Sequence, residues 1–328
     1  MRACVVGAGA VGSHIAVRLA RAGHDVSVIA RGAHLEAIRA RGLVLQAGEE
    51  SWIAEVAADA DPSGFGTQDL VIVAVKSTGL ATMADMLAPL LAPGTAVLFP
   101  QNGIPWWYPV GLDDKPEPPA LDLFGLGGKF LSLMTPSQII GASIYSANEV
   151  VEPGVVKNNT PQRNQLSIGP IAPDCAVDVA GLRSALEEAG IASPALDGDI
   201  RETVWMKLLL NMSGSTIALA TSNKSSISRT DPELETIYRR IVAEGLQIAA
   251  AHGFPVNHLV DIDRLVASLP DHRPSLLQDY EAGRPMEIGE IVRAPQAFAQ
   301  VAGIDTPALD VLAAIVTRLA RDRGLYSG

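Results

Sequence analysis

The stretch Ala3-Cys4-Val5-Val6-Gly7-Ala8-Gly9-Ala10-Val11-Gly12 decides the fold. Its first four residues are apolar without alternation, as suits a parallel strand buried on both faces. They run directly into G-x-G-x-x-G. From Ala10 to Ala22 the apolar residues Val11, Ile15, Leu19 and Ala22 recur at helical spacing. His24-Asp25 then turns the chain into Val26-Ser27-Val28-Ile29, a second strand. A strand, a glycine turn, a helix and a strand within about thirty residues form the unit that sets a pyrophosphate on a helix N-terminus. In that reading Gly7 makes the tight turn, Gly9 lets the backbone approach the phosphates, and Gly12 lets the helix pack closely on the strand. Ala8, Ala10 and Val11 complete the cofactor-binding loop.

The end of the second strand discriminates between nicotinamide cofactors. An NAD site carries an acid about 20 residues past the glycines, bonded to the ribose 2′-OH. Here the chain reads Ile29-Ala30-Arg31-Gly32. No acid repels a 2′-phosphate, and the Arg31 guanidinium can take one in a bidentate pair. NADPH is the expected cofactor.

Working outward, Val71–Val75 and Ala96–Phe99 are further strands, separated by a helical Ala81–Leu91. Strands are expected again at Gln138–Tyr145, Gly154–Lys157 and Gln165–Ile168, and a helix at Val177–Ala189. Strand–helix alternation with short connections implies a doubly wound, mainly parallel α/β sheet. Pro105–Ser137 breaks the rhythm with Pro, Gly and Asp and begins with Trp106, Trp107 and Tyr108. It reads as an irregular insertion, a surface loop or an active-site flap, partly mobile. Past Asp199 the pattern is almost all helical. Helices are expected from Ile200 past Ala220 and at Pro232–His252, His258–Ala267, Pro274–Ala282, Pro285–Ala302 and Pro307–Asp322. The domains are expected at 1–198, Rossmann-type and NADP-binding, and 199–328, all-helical and carrying substrate and catalysis.

Composition sets limits on partners and compartment. The chain has 328 residues, 25 basic against 36 acidic, and a net charge of −11. General affinity for nucleic acid or an anionic membrane is therefore not expected. With 48% hydrophobic residues it can bury a large core. No apolar run approaches the ~20 residues that span a bilayer. Two cysteines, Cys4 and Cys175, make neither a disulfide scaffold nor a thiolate metal cluster, and a cytoplasmic setting is expected. The six histidines include no H-x-x-x-H pair, and no metal is expected.

Several separated motifs carry chemistry. Lys76 directly follows the strand Val71–Val75, where parallel sheets present ligands. Asn102, after Ala96–Phe99, offers an amide suited to a nicotinamide or a substrate oxygen. Lys207, Asn211 and Ser215 fall at i, i+4 and i+8 along one side of a helix. Lys207 is flanked by Leu208, Leu209 and Leu210, so its charge there needs a reason. Ser275 opens a helix after Pro274, and Glu287 lies in the first turn of a helix begun near Pro285.

In these motifs the sequence resembles the ketopantoate reductase (2-dehydropantoate 2-reductase) family, within the 6-phosphogluconate-dehydrogenase-like group. The resemblance rests on the glycine loop, Arg31, Val75-Lys76-Ser77, Gln101-Asn102-Gly103, Trp205-Met206-Lys207 with Asn211, Ser275-Leu276-Leu277-Gln278-Asp279, and Glu287, in family order. It implies NADPH-dependent reduction of a 2-keto acid, 2-dehydropantoate to pantoate in pantothenate biosynthesis. It implies that Lys207 is the general acid and that Glu287 orients the substrate hydroxyl. Lys76 and Asn102 would lie near the cofactor, with Lys76 also near the substrate carboxylate. Asn211, Ser215, His272 and Ser275 would line the substrate site. In the family an Asn usually stands where this chain has His272. The alternatives left open are a same-family reductase of another 2-keto acid, the reverse hydroxyacid dehydrogenase, and a non-catalytic NADP(H) sensor. The expected partner is a small 2-keto acid, and a homodimer is an assembly open to the chain.

Overall fold

The computed structural model describes residues 1–328. Eleven strands are formed: β1 (Arg2–Val6), β2 (Asp25–Ile29), β3 (Leu43–Ala47), β4 (Glu50–Ala54), β5 (Ala57–Asp59), β6 (Leu70–Val73), β7 (Ala96–Phe99), β8 (Ile139–Tyr145), β9 (Asn148–Glu152), β10 (Val155–Asn158) and β11 (Gln165–Pro170). The main sheet has the order β11-β8-β7-β6-β1-β2-β5 and is parallel except for the β8–β11 pair. β1 sits beside β2 and β6, so its residues Ala3 to Val6 are covered on both faces. This is the burial that their unbroken apolar character predicts.

A second sheet, β4-β3-β10-β9, lies outside the sequence reading apart from β10. It packs on α1 (Ala10–Arg21). There the buried His14 brings Nδ1 to 3.2 Å from Asn158 Nδ2 of β10. Burial, with Arg18 nearby, pushes the His14 pKa down to about 3, so the ring is neutral at physiological pH. The remaining helices of this part are α2 (Gly32–Arg41), α3 (Ser77–Ala84), α4 (Leu126–Leu131) and α5 (Val179–Glu188).

From residue 200 the chain is helical: α6 (Ile200–Leu210), a π-turn at Asn211–Ser215, α7 (Thr216–Thr221), α8 (Ile227–Thr230), α9 (Pro232–Ala251), α10 (Ile262–Ala267), α11 (Ser275–Glu281), a π-turn at Gly289–Arg293, α12 (Ala294–Ala302) and α13 (Pro307–Asp322). No helix is long and apolar enough to cross a membrane.

The chain separates into two compact units. One comprises Met1–Gln101 and Gly125–Ile200, the other Asn102–Phe124 and Arg201–Gly328. The helical part resumes two residues past the expected boundary at 198. The segment 102–124, which the sequence reading kept with the sheet, belongs to the helical unit.

This placement corrects the picture of Pro105–Ser137 as a loose loop. Trp106, Trp107 and Tyr108 are buried, and the Tyr108 ring packs on Trp205, Phe254 and Phe298 with centroids 5.1–6.4 Å apart. Trp205 Nε1 donates to Tyr108 Oη at 2.9 Å. The buried Arg201 donates to the carbonyls of Tyr108 and Val110 and sits over the Trp107 ring. Three large aromatic side chains bury far more apolar surface than their Pro- and Gly-rich surroundings suggest. Residues 111–118 are the longest largely exposed run of this segment, and even there Lys115 donates to the Gly253 carbonyl at 2.9 Å.

Candidate active site

In the sheet unit, the glycine loop closes as its sequence requires. Gly7 and Ala8 donate to the Ile29 carbonyl at 3.1 Å, tying the loop to the end of β2. Gly7 has φ +97°, and a Cβ there would lie 2.5 Å from Val75 Cγ1. A Cβ on Gly12 would stand 2.1 Å from the Gly7 carbonyl oxygen, so neither position admits a side chain. At Gly9 a Cβ would meet nothing within 4 Å, and Gly9 is the uncapped N-cap of α1. Open space in front of Gly9 and helix N–H groups without a capping side chain fit a dinucleotide pyrophosphate, and the end of β2, which carries no acid, fits a ribose 2′-phosphate. Ala8 is buried, and Ala10 and Val11 form the first turn of α1.

Arg31 is exposed at the N-cap of α2. Its Nη2 lies 3.5 Å from Met83 Sδ and 3.4 Å from Met86 Sδ. Thioether sulfurs are weak acceptors, which leaves the guanidinium easily drawn to a phosphate.

Lys76 does not directly follow its strand. β6 ends at Val73, and Lys76 is the N-cap of α3, with its carbonyl accepting from Gly79 N at 2.8 Å. The register explains the early end of β6: Val73 pairs with Val6, the last residue of β1. Gln101 Nε2 holds the stretch beyond the strand by donating to the carbonyls of Val73 at 2.6 Å and Val75 at 3.3 Å. Lys76 still lies at the carboxyl end of the sheet, where ligands of parallel sheets gather.

In the helical unit, three of the expected residues meet. Lys207 Nζ donates to Asn102 Oδ1 at 2.7 Å, and Asn102 Nδ2 donates to Glu287 Oε2 at 3.4 Å. Glu287 is buried. Burial pulls the Lys207 pKa down to about 8, and the Glu287 carboxylate opposes that shift. The amine thus remains largely protonated at neutral pH while being a better acid than an exposed lysine. The Asn102 amide lies between the ammonium and the carboxylate and fixes both.

Two π-turns shape this site, and the sequence reading found neither. Lys207 is on α6, but Asn211 and Ser215 open and close the first π-turn, so the uniform i, i+4, i+8 line does not hold. The wider turn slows the angular advance per residue, which offsets the drift of an ordinary helix. Glu287 likewise is not inside a first turn. The helix starts at Ile288, and the Glu287 carbonyl accepts from Ile291 N at 3.2 Å just before the second π-turn. The two π-turns pack on each other.

Gly103 joins these parts. It has φ +74°, and a Cβ there would lie 2.5 Å from the carbonyl carbon and oxygen of Glu290. Ile104 N donates to the Glu290 carbonyl at 3.0 Å. The Asn102-Gly103 turn is therefore seated on the second π-turn. The sequence signal was present in the Asn-Gly pair, but nothing in it named Glu290 as the partner.

His272 and Ser275 stand at the start of α11, which packs on the first π-turn and α7. Ser275 is exposed, and the His272 carbonyl accepts from Ser225 N at 2.9 Å.

The family described as ketopantoate reductase PanE/ApbA matches residues 3–111, and its C-terminal part matches residues 199–320. A 2-dehydropantoate 2-reductase of Mesorhizobium japonicum is 37% identical over the whole of both chains. One from Pyrococcus horikoshii is 27% identical, with 96% of each chain covered. The crystal structure of a PanE/ApbA family ketopantoate reductase from Ralstonia eutropha JMP134 superposes with a TM-score of 0.80 at 29% identity, covering 98% of this chain and 99% of that one. With both parts of the family matched in order along the chain, and a relative at that identity over its full length, the protein belongs to the ketopantoate reductase family.

Proposed function

We infer that the protein is an NADPH-dependent oxidoreductase that reduces 2-dehydropantoate to pantoate, a step of pantothenate biosynthesis. The observation that carries this reading is the hydrogen-bonded chain Lys207–Asn102–Glu287 in a full-length member of the family. A cytoplasmic enzyme acting on a small 2-keto acid fits a chain of net charge −11 with free cysteines at 4 and 175.

NADPH, when bound, supplies the hydride for the keto carbon. The loop Gly7–Gly12 would hold its pyrophosphate, Arg31 its 2′-phosphate, and Lys76 and Asn102 its nicotinamide end. Lys207 hydrogen-bonds the ketone oxygen and gives its Nζ proton to the alkoxide that develops there. An ammonium is far more acidic than an alcohol, so this transfer runs downhill. Asn102 aims the ammonium through its Oδ1. Glu287 accepts a hydrogen bond from the substrate hydroxyl and, as a nearby anion, keeps Lys207 charged. Lys76, Asn211, Ser215, His272 and Ser275 bind the remaining substrate oxygens.

The test is NADPH oxidation by the purified protein across a panel of 2-keto acids that includes 2-dehydropantoate. Highest kcat/KM on 2-dehydropantoate is the expected result. Preference for another acid would replace the substrate, and NADPH binding without reduction of any acid would make the protein a sensor.

A further inference from the structure

The Arg31 guanidinium rests on two sulfurs. Its Nη2 lies 3.5 Å from Met83 Sδ, in the last turn of α3, and 3.4 Å from Met86 Sδ, just beyond that helix. This ledge is held from several sides. Met86 N donates to the Met83 carbonyl and Leu87 N to the Ala84 carbonyl, both at 3.1 Å, and Leu87 and Leu90 are fully buried. From α4, Lys129 Nζ donates to the Ala81 carbonyl at 2.6 Å and to Asp85 Oδ2 at 2.8 Å, which fastens the same turn. The two sulfurs are thus placed by packing within the sheet unit, and the exposed Arg31 side chain comes to them.

The strength of the acceptor on this ledge decides how readily Arg31 leaves it for a phosphate. A thioether is a weak acceptor, so a phosphate outcompetes it. Oxidation to the sulfoxide makes the same side chain polar and gives it an oxygen that accepts strongly. The two methionines differ in access. Met83 is 6% exposed, whereas Met86 is half-buried. Of the other five methionines, Met134, Met212 and Met286 are buried, which leaves Met1 and Met206 as the further sulfurs open to solvent.

We propose that Met86 is an oxidation site that sets the cofactor preference: its thioether yields Arg31 to the 2′-phosphate of NADPH, and its sulfoxide withholds Arg31. This rests on the reading of Arg31 as the 2′-phosphate ligand. The oxidant is hydrogen peroxide or a small hydroperoxide. With hydrogen peroxide, the sulfur lone pair attacks one oxygen, and an S–O bond forms as the O–O bond breaks. The departing hydroxide takes the proton of the transferred hydroxyl and leaves as water. Sulfur loses two electrons and the peroxide gains them. The new oxygen accepts a charge-assisted hydrogen bond from Arg31 and turns its own partial negative charge on an incoming phosphate. NADH has a hydroxyl in place of the 2′-phosphate and makes no such demand on Arg31, so the loss falls on NADPH. Met86 acts through Arg31 and is a positioning residue.

The test is the pair of dissociation constants for NADPH and NADH, titrated by nicotinamide fluorescence on the full chain before and after hydrogen peroxide. Oxidation of the wild type should raise the NADPH constant about tenfold relative to that of NADH. Methionine sulfoxide reductases should reverse the change. Met86→Gln sets an amide oxygen at a similar reach and should shift the same ratio by a similar factor without oxidant. Met86→Leu has no sulfur there, so its own ratio should be the same before and after peroxide, while Met1 and Met206 remain oxidisable. An equal peroxide effect in Met86→Leu overturns the proposal. So does an unaltered ratio in Met86→Gln, or a Met86 that peptide mass spectrometry finds unoxidised when Met1 is oxidised. Arg31→Ala tests the assignment beneath it. A lowered NADPH preference there, beside an unaltered one in Met86→Gln, rejects the Met86 role alone. A wild-type ratio in Arg31→Ala rejects the 2′-phosphate assignment and the Met86 role with it.

Discussion

Lys207 is where charge, burial and chemistry converge. Its ammonium sits 2.7 Å from a neutral amide oxygen, and burial holds its pKa near 8. For a lysine this depression means that the protonated form predominates well below pH 8, is half populated near it and is lost as pH rises through that value. Reduction consumes the proton, so the single-turnover rate of keto-acid reduction should be level in neutral solution and fall above pH about 8. In the proposed mechanism, oxidation of the hydroxy acid uses the free amine and should rise over the same range. Lys207→Ala should lower the reduction rate by about 10²–10⁴-fold and abolish that titration. NADPH affinity should hardly change, since Gly7, Gly9, Gly12 and Arg31 lie in the sheet unit. Stopped-flow reduction across pH, beside NADPH titration, reads both. A pH profile shared by wild type and variant would remove Lys207 from the proton transfer.

At the scale of elements, the site depends on a turn seated against a π-turn. Gly103 has a backbone angle that side chains avoid and a neighbour, the Glu290 carbonyl, that a Cβ would strike. Gly103→Ala should cost about 1–3 kcal/mol of stability and displace Asn102, and with it the Lys207 ammonium. A lower melting temperature with a reduced kcat is the expected pair of results, read by thermal unfolding and steady-state assay. An unchanged melting temperature would mean that the turn moves away from Glu290 at little cost.

The same elements show what the residues disclosed in advance. The strand–loop–helix–strand unit from Ala3 to Ile29 was legible because every residue in it answers to one constraint, burial on both faces or room for a phosphate. β9, Asn148-Glu149-Val150-Val151-Glu152, was not, because four of its five residues are exposed and it carries no two-fold alternation. β3 and β4 escaped for a related reason. They are short strands of a separate sheet whose inner face is read only against α1. The identities of Lys207, Asn102 and Glu287 came with the family pattern. Their contact, between residues 105 and 185 positions apart, is a property of tertiary packing alone. The π-turns were hidden because Asn211-Met212-Ser213-Gly214-Ser215 differs from an ordinary helix by one extra residue in a turn.

On the scale of the whole molecule, the chain passes between its two units three times, at 101/102, 124/125 and 200/201. The middle excursion gives the helical unit part of its core. Tyr108 has ring partners on α6 and α12 and in the turn after α9, at Trp205, Phe298 and Phe254, and Arg201 fastens the carbonyls on either side of Pro109. Removing a buried aromatic side chain costs about 3–5 kcal/mol, against about 5–15 kcal/mol for the stability of a whole domain. A fragment of residues 199–328 would lose Trp106, Trp107 and Tyr108 together. It would also leave the Arg201 guanidinium buried without the two carbonyls it now holds. That fragment should therefore retain helical far-UV circular dichroism but lose near-UV signal and bind a hydrophobic dye, as a collapsed state without fixed packing does. Joining residues 102–124 to it through a flexible Gly/Ser linker should restore a cooperative melt and the near-UV signal. If 199–328 melts cooperatively without that segment, the aromatic cluster around Tyr108 is dispensable and the helical unit is complete without its excursion.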